Sequence, residues 1–196
     1  MTTGLITCGA LAREVRALIQ KHGWDAEIIG VPAVDHVFPE RIAPHVEERI
    51  QDRGDEYQRL IVVYGDCGSK GALDRTLARY PDIERIPGPH CYEFYGEELF
   101  EEIITEEPGS YILTDFMVRT FQGLIKKSMG LHRYPELKKE YFRNYRRVVY
   151  LAQTEDEKLQ AKARAIAEEL ELPLEIHFTG LGALETRLRA MMEKRS

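Results

Sequence analysis

The 196-residue chain carries 27 lysines and arginines against 33 aspartates and glutamates, which gives a net charge of −6 at pH 7. This acidic balance disfavours nucleic acid and anionic membrane surfaces as partners. Apolar runs such as "LIVVY" are far too short to span a bilayer. The opening "MTTGLITCGA" lacks the basic start and long apolar stretch of a signal peptide, so we expect a cytoplasmic protein.

Short apolar runs of β-forming residues alternate with amphipathic helical stretches along almost the whole chain. After the first run, for example, Leu11, Val15 and Leu18 recur at helical spacing. Because the runs are apolar on both faces, they predict parallel strands covered on both sides by helices. We therefore expect an α/β fold with a Rossmann-like, doubly wound, mostly parallel sheet of six or seven strands. The predicted strands are 5–7, 27–31, 59–64, 110–114, 146–152 and 174–178, with a weaker one at 83–86.

The regular alternation is interrupted by an aromatic and basic insert at 131–147, which predicts one additional short helix. No low-complexity linker and no shift in composition divides the chain. We therefore predict a single α/β domain over residues 1–196. A division into two lobes near 130–146 stays open as an alternative.

The three cysteines follow predicted strands. Cys8 and Cys67 come within a few residues of a strand end, and Cys91 lies five residues past the weaker run at 83–86. In open parallel sheets, ligands bind beyond the carboxyl ends of the strands. An odd number of cysteines in a cytoplasmic chain also argues against a disulfide framework. We therefore expect the three loops to bring their sulfur atoms to one cleft.

Thiolates select zinc and iron–sulfur clusters among the common biological metals. Glycines beside the cysteines, Gly9, Gly65 and Gly68, let the backbone approach a bulky centre, so they are predicted to help bind a cofactor. Closed zinc sites have four protein ligands and often contain close cysteine pairs, whereas these cysteines are single and far apart. A three-cysteine centre with one open position is therefore predicted. Two alternatives stay open, namely a lone reactive thiol at Cys67 and unrelated buried cysteines.

Three polar residues near the cysteines are candidate catalytic groups. His36 follows the second predicted strand and would face the same cleft, unless it is a solvent-facing loop residue. Asp66 could orient a substrate amine or accept a proton, although aspartate is equally expected as a cap at this turn. His90 could be a fourth ligand or a proton donor. Because adjacent residues rarely both reach one ion, a structural role for His90 beside Cys91 is the alternative.

The segments "CGAL", "YGDCG", "PGPHCYEFYG" and "EPGSYILTDF", with the tail "YFRNYRRVVYLAQ", resemble the prokaryotic family known as domain of unknown function 1638. The resemblance runs from about residue 4 to about residue 180. It implies that cysteines at the positions of Cys8, Cys67 and Cys91 are shared by the family, which has no established activity. Genes of the family often lie near those for corrinoid-dependent methyl transfer, which implies a link to one-carbon metabolism.

We therefore expect a metal-thiolate protein that acts on a small-molecule substrate, as a metal-dependent lyase or transferase. A [4Fe–4S] cluster with one open iron is the leading expectation, because the three single-cysteine loops resemble the arrangement in quinolinate synthase. A Zn²⁺ trithiolate that transfers a methyl group to a substrate thiol is the alternative. The third possibility is a non-catalytic partner of a corrinoid methyltransferase system.

Overall fold

The structure, a computed structural model, describes residues 2–194. Seven strands occur in this range: β1 (Thr3–Cys8), β2 (Ala26–Val31), β3 (Arg59–Val63), β4 (Glu84–Arg85), β5 (Ser110–Thr114), β6 (Arg147–Ala152) and β7 (Leu174–Phe178). The α-helices of the same range are α1 (Ala12–His22), α2 (Ile42–Arg53), α3 (Ala72–Leu77), α4 (Glu93–Glu106), α5 (Asp115–Thr120), α6 (Lys126–Ser128), α7 (Leu137–Phe142), α8 (Glu157–Leu170) and α9 (Gly182–Glu193). None of the helices within residues 2–194 is long and apolar enough to cross a membrane.

The strands form two parallel sheets. The first has four strands in the order β2-β1-β3-β4, and the second has three in the order β5-β6-β7. The α/β class and the parallel pairing are thus as predicted, whereas each sheet is smaller than the six or seven strands expected. Strand β4 pairs with β3 at only two positions, so it offers a very short edge for any further strand.

The chain divides into two compact units. The first unit contains the described residues up to Phe94 and those from Ala183 onward, and it is built on the four-stranded sheet. All six residues of β1 are buried, as its apolar sequence requires. Helix α1 packs Val15 and Leu18 into this core. Gly23 follows its last residue, and the left-handed backbone of this glycine caps the last helical turn.

The second unit, Tyr95–Gly182, is built on the three-stranded sheet. Helix α8 begins at the cap Asp156, whose carboxylate accepts the backbone N–H groups of Lys158 and Leu159. Its apolar positions are buried at the predicted helical spacing. The insert forms the predicted short helix, α7, and its Phe142 packs edge-on against Tyr111 with the ring centroids 5.1 Å apart.

A buried carboxylate organises the carboxyl end of the second sheet. Asp115 follows β5 directly, is fully buried, and has hydrogen-bond partners on both oxygens. Its Oδ1 accepts the Tyr150 hydroxyl at 2.6 Å and the Gln153 N–H at 3.0 Å. Its Oδ2 accepts the Thr154 hydroxyl at 2.6 Å and the Arg119 guanidinium at 3.0 Å. Both carboxylate oxygens therefore have the hydrogen-bond donors that a buried charge requires, and all of these donors belong to the second unit.

Candidate metal centre

The strand order of the first sheet brings the cysteine loops to one place. Strand β1 lies between β2 and β3, so the chain turns to one side of β1 for β2 and to the other side for β3 and β4. Ligands of open α/β sheets bind outside the carboxyl ends of the strands at such a switch point. Cys8 is the last residue of β1, and Cys67 follows the last residue of β3 by four positions. The sheet therefore directs both thiols to the switch point.

Four groups that can bind a metal meet there. One ligand atom from each of His36, Cys67 and Cys91 lies within 4.8 Å of the other two. The Sγ atom of Cys8 lies 3.9 Å from Nδ1 of His36. Cys8 is buried, whereas the other two cysteines are half-buried. Each of the four strands of this sheet thus contributes one donor, β1 at its last residue and the other three in the loops that follow them.

The backbone holds the loops of Cys67 and Cys91 together. The Cys67 N–H donates to the Pro89 carbonyl at 3.0 Å, which joins the loop after β3 to the loop after β4. Cys67 itself has a φ of 46°, a left-handed conformation that residues with a side chain adopt only at a cost. A Cβ at Gly65 would lie 3.0 Å from the Pro89 carbonyl oxygen and 3.2 Å from the Cys67 sulfur. Glycine is therefore needed at position 65 for the two loops to come this close.

The hydrogen bonding of His36 leaves one ring nitrogen available. His36 ends a 3₁₀ turn, Ala33–His36, and its Nδ1 lies 3.1 Å from the Ala33 carbonyl oxygen. A carbonyl can only accept, so we assign the proton to Nδ1. Nε2 is buried and has no hydrogen-bond partner among residues 2–194. Metal-binding histidines typically donate one N–H to a carbonyl and bind the ion through the other nitrogen, so Nε2 of His36 would bind an ion after giving up the proton that it carries in the metal-free protein.

The charges at the centre are strongly coupled. Burial alone would lower the pKa of His36, but the nearby sulfurs of Cys67 and Cys8 outweigh it and raise this pKa to about 11. The hydrogen bond from Cys91 is the main cause that lowers the pKa of Cys67 to about 5, and His36 adds to it. The same bond and burial raise the pKa of the Cys91 thiol well above its usual range. In the metal-free protein, Cys67 is therefore a thiolate beside an imidazolium.

We expect Cys67 of the metal-stripped protein to react with iodoacetamide down to an unusually low pH. Because the pKa of Cys67 is lowered to about 5, its reactive thiolate is lost only as the pH falls through that value. An ordinary cysteine loses its thiolate below about pH 8.5. Peptide mass spectrometry after timed labelling at several pH values measures this midpoint, with Cys91 as the slow internal control at neutral pH. A midpoint near 8.5 for Cys67 would contradict the arrangement.

The two other predicted catalytic residues lie in the same loops as the cysteines. The Asp66 carboxylate accepts the Ser69 hydroxyl and the N–H groups of Lys70 and Gly71, so it shapes the turn that leads to α3. His90 is exposed in the loop just before Cys91. The catalytic roles predicted for Asp66 and His90 stay predictions.

The other predicted glycines lie where loops pack closely. The Gly9 N–H donates to the Val31 carbonyl at 2.8 Å, and a Cβ at Gly9 would lie 3.1 Å from the Ala33 nitrogen. Gly68 has a φ of +87° and lies against Pro39. Gly9 thus joins the loop of Cys8 to that of His36, and Gly68 joins the loop of Cys67 to the same segment. Their predicted part in cofactor binding stays a prediction.

Two buried polar residues beside His36 were not singled out as functional by the sequence. Asp35 is 1% exposed, and its Oδ2 lies 2.8 Å from Nδ1 of His45, while Oδ1 has no hydrogen-bond partner within residues 2–194. Tyr64 is fully buried, its ring stacks on that of His36, and its hydroxyl also has no hydrogen-bond partner in that range. Burial and the charge of Cys8 raise the pKa of Tyr64, so the phenol stays protonated. The sequence contained one indication for each residue: Tyr64 lies at the end of a predicted strand, and Asp35 directly precedes His36.

The fold and the site together define a class of protein: a parallel α/β protein with a cluster of thiols and an imidazole at the switch point of its first sheet. More narrowly, the chain belongs to the family described as "Protein of unknown function (DUF1638)", which matches residues 31–188 and confirms the resemblance noted in the sequence. The matched segment contains His36, Cys67 and Cys91, and Cys8 lies before it. No curated protein and no solved structure matches the chain.

Proposed function

We propose that the protein binds a single metal ion, Zn²⁺ in the first place, through His36, Cys67 and Cys91. The observation that carries the proposal is the mutual distance of these donors, all within 4.8 Å of one another. Zinc binds cysteine sulfur at about 2.3 Å and histidine nitrogen at about 2.0–2.1 Å, so donors to one tetrahedral ion lie roughly 3.5–3.8 Å from each other. The donors would have to close by up to about 1 Å to surround one ion, which side-chain rotation can supply.

The same distances favour one ion over the [4Fe–4S] cluster that the sequence led us to expect. In such a cluster each cysteine binds a different iron, so the separation of the irons adds to the distance between the sulfurs. The close pair Cys67 and Cys91, with an imidazole beside it, matches the mixed cysteine and histidine sets of zinc sites better. The cluster stays a prediction that the measurement below also tests.

An open fourth position makes this centre suited to a substrate thiol. Catalytic zinc sites keep three protein ligands and leave the fourth position to water or substrate. A thiol that binds zinc loses its proton, which makes it a nucleophile at neutral pH. We therefore propose a transferase of one-carbon or sulfur metabolism that passes a methyl group from a methylcorrinoid donor to a small-molecule thiol. The thiolate would form the new sulfur–carbon bond, and the corrinoid would keep the electron pair of the cobalt–carbon bond that breaks. Cys8, whose Sγ lies 3.9 Å from Nδ1 of His36, is the thiol of this cluster that lies outside the three proposed donors.

Metal analysis after oxygen-free purification tests the proposal. We expect about one zinc per chain and a colourless protein. A brown protein with about four irons per chain would support the cluster instead. A protein that takes up neither metal, even after incubation with each under reducing conditions, would overturn both. Because the thiols have to stay reduced, we place the protein in the cytoplasm.

A second candidate function is that of an enzyme with Cys67 as its nucleophile and His36 as the partner imidazole. The observation that favours it is the low pKa of Cys67 beside the protonated His36. In that case replacing Cys8 or Cys91 would leave activity largely intact. A non-catalytic role beside a corrinoid methyltransferase system, which the family resemblance implied, becomes the preferred proposal if the thiols bind neither metal nor substrate.

The first unit also supports the doubly wound plan, which we propose for this part of the chain alone. Its strand order, β2-β1-β3-β4, reverses direction at the β1–β3 pair, as in doubly wound sheets of the flavodoxin-like order 2-1-3-4-5. The buried residues of β1 and β3 on both faces require cover on both sides.

A further inference from the structure

A single guanidinium binds the backbone of two loops of the candidate metal centre. Nη1 of Arg85, in β4, lies 3.1 Å from the Tyr64 carbonyl oxygen, 3.2 Å from that of Ile86 and 3.1 Å from that of Gly88. Tyr64 follows the end of β3, whereas Ile86 and Gly88 follow β4. One nitrogen thus contacts the start of both loops.

The two loops are contacted at equivalent places. Tyr64 stands three residues before Cys67, and Gly88 stands three residues before Cys91. Further along, the Cys67 N–H donates to the Pro89 carbonyl at 3.0 Å. The two cysteine loops are therefore joined at two points, of which the one nearer the sheet is made by a side chain.

The other edge of the same guanidinium is fixed by a carboxylate. Nε of Arg85 donates to Oδ1 of Asp74 at 2.7 Å, and Nη2 donates to Oδ2 at 3.2 Å. Asp74 lies on α3, the helix that follows the Cys67 loop. Arg85 is only 17% exposed. A planar guanidinium bound on both edges in this way has one orientation, which lysine with its single ammonium cannot reproduce.

We propose that Arg85 is a positioning residue of the metal centre, which fixes the distance between the Cys67 and Cys91 sulfurs by holding the carbonyls before them. The proposal rests on the proposed function, because its role is to keep two ligands ready for one ion. Residues that orient metal ligands without touching the metal typically affect metal affinity by about 10–100-fold. No sequence pattern marks this role, because the carbonyls lie in loops that follow two different strands.

The test compares Arg85→Lys and Arg85→Gln with the matched control Arg79→Gln. Arg79 belongs to the same unit, is well exposed, and pairs with Glu47 at 2.8 Å. Zinc affinity is measured by competition with a chelator, and Co²⁺ substitution reports the bound thiolates through sulfur-to-cobalt charge-transfer absorption. We expect both Arg85 variants to bind zinc about 10–100-fold more weakly and to show weaker charge-transfer absorption per cobalt, and the Arg79 variant to match the wild type.

A second readout needs no metal, so it separates this inference from the proposed function. Diamide oxidises two thiols to a disulfide: the two sulfurs give up two electrons and two protons, and diamide is reduced to the hydrazine. In metal-stripped protein the rate of Cys67–Cys91 disulfide formation, followed by peptide mass spectrometry, depends on how well the two sulfurs are held together. We expect Arg85→Gln to slow it by about tenfold.

Wild-type zinc affinity and wild-type disulfide rates in both Arg85 variants would overturn the positioning role. So would losses that merely follow the fraction of unfolded protein, which circular dichroism under the assay conditions measures. If the wild type binds no metal but the Arg85 variants still slow disulfide formation, the proposed zinc function fails and the positioning of the two thiols by Arg85 stands.

Discussion

Replacing Cys67 by serine is expected to lower the affinity for Zn²⁺ by about a hundredfold or more. Cys67 is the thiol that is already ionised in the metal-free protein, because Cys91 and His36 lower its pKa to about 5. A serine hydroxyl is neutral at this pH and is a poor donor to a soft site. Chelator competition with purified protein gives the affinity, and circular dichroism checks that the variant is folded.

Substitutions of the other proposed donors test whether all three donors bind the same ion. Cys91→Ser and His36→Ala should weaken zinc binding to a similar degree as Cys67→Ser, because all three donors lie within 4.8 Å of one another. Cys8→Ser should have a smaller effect, since Cys8 lies outside that group. His132→Ala is the matched control, as His132 lies in the second unit. A loss of zinc affinity confined to Cys67→Ser would contradict the shared ion.

The positions of the donors were largely predictable from the sequence because they depend on strand ends. An apolar run followed by cysteine and glycine marks such an end, as at Cys8 and Cys67. Parallel strands then put their carboxyl ends at one edge of the sheet. His36 was found by the same rule, since it follows β2. The expected role of His36 was catalytic, and its place within the donor cluster became visible only from the distances.

Strand pairing and the contacts of Arg85 were not predictable in this way. Hydrophobic periodicity reports which faces of a segment are buried, but it contains no information about which strands pair. The hydrophobic pattern therefore predicted seven strands, but it did not predict that they divide into sheets of four and three. Arg85 donates to three carbonyl oxygens, and one of them, that of Tyr64, lies in the loop that follows β3. Carbonyls are common to all residues, so no sequence pattern marks them.

The second large effect is expected in the other unit, where Asp115→Ala should lower the free energy of unfolding by about 3–5 kcal/mol. The carboxylate is fully buried and accepts hydrogen bonds from the Tyr150 and Thr154 hydroxyls, both at 2.6 Å. It also accepts the Gln153 N–H and the Arg119 guanidinium. Alanine would leave these donors in the interior without the carboxylate. Urea unfolding of the full chain measures the change.

Asp156→Ala is the comparison that separates a buried network from an ordinary helix cap in the same unit. Asp156 accepts two backbone N–H groups at the start of α8, and losing such a cap costs about 1 kcal/mol. If Asp115→Ala costs no more than Asp156→Ala, the hydroxyls of Tyr150 and Thr154 find other partners and the carboxylate is not essential to the unit.

Hydrogen exchange should locate a larger loss in β5 and β6, because the network joins the ends of these two strands. Zinc affinity should be unchanged in the folded Asp115→Ala protein, since every proposed donor belongs to the first unit.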